Sequence, residues 1–162
     1  MSRTGRDAEA QRDREAIATC ALLLERYFDV LEANSIAAQR LDSAGNRDLA
    51  LRLRSEYEQS VRYLTELSFE LGGDPPKHGD LGRVVGDAKV ALGEIAGDRG
   101  VLGALKSNEG GLIKLLEKTS QKRDLPVSLA SRVREELDCS RARVALLDER
   151  LEELKDRAHT LS

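Results

Sequence analysis

Apolar side chains recur at alternating steps of three and four along nearly the whole chain, and this spacing restricts the fold more than any other feature. Such steps place residues on one face of a 3.6-residue helix, and no stretch of any length alternates in the manner of a strand. Ile17, Ala21, Leu24, Phe28, Leu31, Ser35 and Ala38 predict a first helix over 14–42, broken by "DSAGN". Leu53, Tyr57, Val61, Leu64, Leu67 and Leu71 predict a second over 46–71, where Gly72 and Gly73 supply the C-terminal cap and Pro75-Pro76 stop it from resuming. A shorter helix is expected over 80–96, capped by Asp80, with Leu81, Val84, Val85, Ala88, Leu92 and Ile95 on one face. Leu102, Leu105, Leu112 and Leu116 mark a fourth over 100–122, closed by "RDLP". The last helix starts near Pro126 and carries Ala130, Val133, Leu137, Ser140, Val144, Leu147, Leu151, Leu154 and Ala158.

These segments predict an all-α protein. Residues 1–13 are charged and poor in apolar side chains, and read as a flexible lead-in to a single helical bundle over 14–159. The short helix over 80–96 would span roughly 25 Å, enough to carry the chain back along most of a bundle. Two long hairpins joined by one such crossover make a ferritin-like arrangement.

Composition narrows the chemistry. The chain has 162 residues, 34% of them charged, with a net charge of −3 and both signs interleaved, which gives no electrostatic case for nucleic acid or an anionic membrane. Aromatics are 3% and Trp is absent, so base-stacking surfaces are not expected. The longest apolar run, "AIATCALLL", is too short for a membrane span and lacks signal-peptide flanks, so a cytoplasmic location is the default. Cys20 and Cys139 lie inside helical patterns without CxxC spacing and read as buried, reduced thiols. No GxxxxGK[ST] or GxSxG occurs, and "KHGD" reads as a solvated turn.

One residue breaks the pattern. In "LGALKSNEGGLIKLLEK" the stripe runs Leu102, Leu105, Glu109, Leu112, Leu116, Thr119, so a carboxylate stands in an apolar position. Counting from the hairpin turns brings Glu56 of the second helix and Glu109 to similar mid-heights, with Ser35 and Glu32 of the first helix nearby. Arg141 of the last helix is level with Glu109, and Glu136 is a turn lower. Three readings of Glu109 stand open: a buried Glu–Arg pair or polar network with Arg141 as the cation, an edge position reaching solvent, or a ligand of iron or manganese. The two histidines, His78 and His159, are too far from mid-bundle to complete a metal set, and this favours the network.

The stretches "ELGGDPP", "DAKVAL" and "NEGGLIKLLEKTSQKRDLP" resemble an uncharacterised family of bacterial ferritin-like proteins, known mainly as a domain of unknown function, from about Phe28 to Leu147. The resemblance implies a ferritin-like four-helix bundle and matches Glu56, Glu109 and Glu136 to family carboxylates. Ser35 stands where the family places Glu, and Arg141 where it places His, which implies a degenerate metal site. The expectation is therefore a non-enzymatic bundle acting through protein association, as a homodimer or with another protein, and needing no cofactor. The alternative is a di-metal oxidase or iron-handling protein using Glu56, Glu109, Glu136 and Glu32. A small apolar ligand in the core is a third possibility.

Overall fold

The computed structural model describes residues 3–78, 95 and 97–161. Among these there are four helices and no strand: α1 (Arg3–Arg40), α2 (Ala44–Glu70), α3 (Asp98–Ser120) and α4 (Val127–Thr160). The helix expected over 80–96, with its Asp80 cap, lies outside the described residues apart from Ile95. No helix among the described residues is long and apolar enough to cross a membrane.

The four helices run as the sequence spacing predicts, with one difference in extent. Helix α1 begins at Arg3 rather than near residue 14. Ala8, Glu9, Ala10, Gln11 and Arg12 are good helix formers. Gln11 also ties adjacent turns together, donating to Glu15 at 3.1 Å and accepting from Arg14 at 2.7 Å.

Contacts at the helix ends give the topology. The Asp98 carboxylate, in the first turn of α3, accepts the backbone N–H of Asp42 at 2.7 Å and of Ser43 at 3.1 Å, and the Asn46 amide at 2.7 Å. The start of α3 therefore sits beside the α1–α2 turn. At the other end, Lys122 after α3 donates to Thr19 of α1 at 2.9 Å. Helices α2 and α3 thus run in the same direction, antiparallel to α1 and α4, and the end of α2 and the start of α3 lie at opposite ends of the bundle. Residues 73–78, just after α2, run beside α1. Gly73 lies against Ile17, and His78 packs edge-on against Phe28 with ring centroids 5.3 Å apart, so the chain climbs along α1. Pro75 and Pro76 favour that climb by holding the backbone extended.

Helix α1 packs closely on α2 and α3, and α3 on α4, around a core of Leu23, Leu24, Leu53, Leu102, Leu112, Leu116 and Leu147. At Gly111 of α3 the space a Cβ would take is filled by the Arg26 guanidinium of α1, the far end of a flexible side chain. Helices α2 and α4 stand farther apart. Their seam is bridged by Tyr57, Tyr63, Arg132 and Arg143, side chains too large for a close backbone approach.

Candidate functional site

All six residues of the α3 stripe, including Glu109 and Thr119, are buried. Glu109 has no exposed surface, and its carboxylate is held from two other helices. The Tyr57 hydroxyl of α2 donates to one oxygen. The Ser140 hydroxyl and the Arg143 Nε, the latter at 3.0 Å, donate to the other from α4. The Arg143 guanidinium carbon also sits 4.7 Å from the Tyr57 ring centroid, so the cation is shared between a carboxylate and an aromatic face.

A second cluster repeats this chemistry beside the first. Glu136 of α4, 3% exposed, accepts the Tyr27 hydroxyl of α1 at 2.6 Å and the Ser60 hydroxyl of α2 at 2.8 and 2.9 Å, and pairs with Arg132 one turn earlier on α4. The tyrosine rings lie 6.3 Å apart and join the two clusters. Each cluster consists of one carboxylate, one guanidinium, one tyrosine and one serine from three helices, and the two together draw on all four.

The electrostatics match that arrangement. Burial, reinforced by Glu136, pushes the Tyr27 hydroxyl well above the usual tyrosine range, and burial reinforced by Glu109 does the same to Tyr57. Both phenols stay protonated and act as donors. Burial alone would lower the Arg143 pKa, but Glu109 and then Tyr57 outweigh it and raise the pKa above its ordinary value. Arg143 is a permanent cation here.

Several expected positions need correction. Arg141 is not the partner of Glu109. It is exposed and reaches Glu117 at 3.4 Å, because it lies on the outer side of α4 while Ser140 and Arg143 face inward. Ser35 is only half-buried and turns back on its own helix, donating to the Leu31 carbonyl at 3.0 Å, whereas Asn34 occupies the buried position. Glu32 faces His78, with 3.8 Å between carboxylate and imidazole, on the flank of the bundle. Cys139 is exposed, whereas burial pushes the Cys20 thiol up to about 11. Glu56 is half-buried, and its Oε2 has no hydrogen-bond partner among the described residues. Tyr27, Ser60 and Arg143 are absent from the predicted site. Arg143 had a signal, since Glu136, Ser140, Arg143 and Leu147 form their own four-three-four series.

A pair of iron or manganese ions would require Glu109 and Glu136 to surrender tyrosine, serine and arginine donors. Among the described residues no three His, Cys, Asp or Glu side chains stand together as a ligand set. His159 lies in the last turn of α4, away from both clusters. The residues present do not fit a dinuclear centre. No family model matches the chain, and neither the curated proteins nor the solved structures provide a match.

Proposed function

We propose that this chain is a non-enzymatic, cytoplasmic bundle of ferritin-like type that acts through protein association, its two central carboxylate clusters standing where such bundles carry metal. The carrying observation is the saturation of Glu109 and Glu136 by protein donors. A carboxylate whose charge is already met by a guanidinium and two hydroxyls has a structural role and little affinity left for a divalent ion. The up-down-down-up helix order agrees with a ferritin-like bundle.

Association with a second copy is supported by the first part of α1. From Arg3 to Glu15 the helix is almost wholly exposed and lies before Ile17, the point on α1 reached by Gly73 just after α2. A helical stretch that short and polar all round is marginal in water by itself. Its charges are balanced, Arg3, Arg6, Arg12 and Arg14 against Asp7, Glu9, Asp13 and Glu15, as suits pairing with an identical segment across a two-fold axis.

Two measurements test this reading. Light scattering of the full chain should give a dimer, and removal of residues 3–15 should give a monomer; a full chain that stays monomeric overturns the association. Protein loaded anaerobically with Fe(II) or Mn(II) and desalted should retain no metal. Retention of about two ions per chain, the ferritin-like stoichiometry, would replace this reading with the di-metal one.

A further inference from the structure

A groove of about 500 Å³ runs between α1 and the α3–α4 turn, with Ala18, Thr19 and Leu22 on one wall and Lys122, Asp124 and Leu125 on the other. Leu22 is 50% exposed and Leu125 is half-buried, so apolar surface is left facing solvent. The α1 wall continues a longer line. Thr4, Ala8, Gln11, Glu15, Ala18 and Leu22 follow one another by steps of four, three, four, three and four, which puts them on one face of the helix from its first turn into the groove. All six are exposed.

A second copy of the same line fits it. When two such helices lie antiparallel about a two-fold axis with Gln11 opposite Glu15, the register also sets Ala8 opposite Ala18 and Thr4 opposite Leu22. Gln11 already donates to Glu15 along its own helix at 3.1 Å, so the two side chains are complementary, and the paired alanines let the helices approach closely. No two like charges meet on the line. Arg12 adds a flanking contact. It precedes Thr19 by seven positions and Arg26 by fourteen, and both of those face α3 or the turn after it, so Arg12 lies on the same flank. A two-fold axis brings like flanks together, which carries Arg12 of one copy toward the wall that holds Asp124 of the other.

We propose that the first part of α1 from one copy seats antiparallel in this groove of a second copy, and the reverse, in that register. The proposal rests on the association reading and gives it a surface. Seating covers Leu22 and Leu125 and supports a segment that is marginal as a helix by itself. Pairing residues 3–15 of one copy with only residues 3–15 of the other would leave both leucines open.

Disulfide crosslinking in the full chain tests the register. Ala8 and Ala18 stand about 15 Å apart along one helix, farther than a disulfide spans, so a bond between these positions must join two chains. In a chain carrying Cys139→Ser, which removes the exposed native thiol, Ala8→Cys together with Ala18→Cys should give a covalent dimer on mild oxidation, and neither substitution alone should do so. Leu22→Glu puts a carboxylate into the covered seam and should weaken dimerisation about tenfold or more in sedimentation equilibrium. Leu51→Glu, at a leucine of α2 that is 47% exposed, should leave dimerisation unchanged. A full chain that stays monomeric overturns the association itself. A dimer that forms no 8–18 disulfide, or that keeps its affinity with Leu22→Glu, leaves the association standing and overturns this seat.

Discussion

Glu109 and Arg143 show how one buried charge specifies its surroundings. With no exposed surface, the carboxylate requires compensation inside the bundle, and Arg143 provides it at 3.0 Å. Replacing Arg143 by Ala should destabilise the protein by about 3–5 kcal/mol, because an uncompensated carboxylate is left behind. Arg141→Ala should change stability by less than about 0.5 kcal/mol, as usual for an exposed position. Urea denaturation of the two variants measures the contrast, and equal effects would contradict the pairing. The sequence exposed the anomaly at Glu109 and the height at which its partner must lie. It left the choice between Arg141 and Arg143 to their directions around α4, where a difference of two residues turns a side chain from solvent to core.

At the scale of the element, α3 was legible in full and α1 was not. The α3 stripe contains one polar interruption and one possible face, and that face is buried. Helix α1 offers two stripes one residue apart, each with four-three spacing. Of the stripe expected from spacing, Leu24 and Phe28 are buried, but Ile17, Ala21, Leu31, Ser35 and Ala38 are only half-buried. The buried series is Ala16, Cys20, Leu23, Tyr27, Val30, Asn34, Ala37 and Leu41. A one-residue shift rotates the face by about 100°, and that rotation carries Tyr27 into reach of Glu136 and leaves Ser35 at the flank. The end of α2 was also readable: Gly72 takes φ +86°, its N–H bonds to the Phe69 carbonyl and the Gly73 N–H to that of Ser68, completing a two-bond C-terminal cap. Gly72→Ala should cost about 1 kcal/mol through the left-handed backbone alone, since nothing crowds the position. A smaller melting-temperature loss than at an exposed Ala→Gly site within α2 would argue against that cap.

For the whole molecule, the junction at Asp98 does what no single helix can. One carboxylate joins the start of α3 to the α1–α2 turn, and Asn46 extends the contact to Arg150 of α4 at 3.0 Å. Burial opposes ionisation of Asp98, but the Asn46 amide and the backbone N–H groups of Asp42 and Ser43 outweigh it and hold the pKa below its ordinary value. A depressed carboxyl stabilises fully above its unfolded pKa, about 4 for Asp, and loses that contribution as pH falls toward the lowered folded value. The stability gap between wild type and Asp98→Ala should therefore be constant near neutrality and shrink below about pH 4. A gap unchanged down to acid unfolding would rule out the carboxylate as the anchor. The sequence by itself determined the four described helices, apart from the start of α1, and the C-terminal cap of α2, and it singled out Glu109 as the break in its stripe, because spacing, glycine and proline act over a few neighbouring residues. Tertiary structure alone decided which stripe of α1 faces inward, which arginine meets Glu109, and that Glu136 gathers Tyr27 and Ser60. Those choices depend on groups 34 to 109 positions apart in the chain, whose encounter no local periodicity encodes.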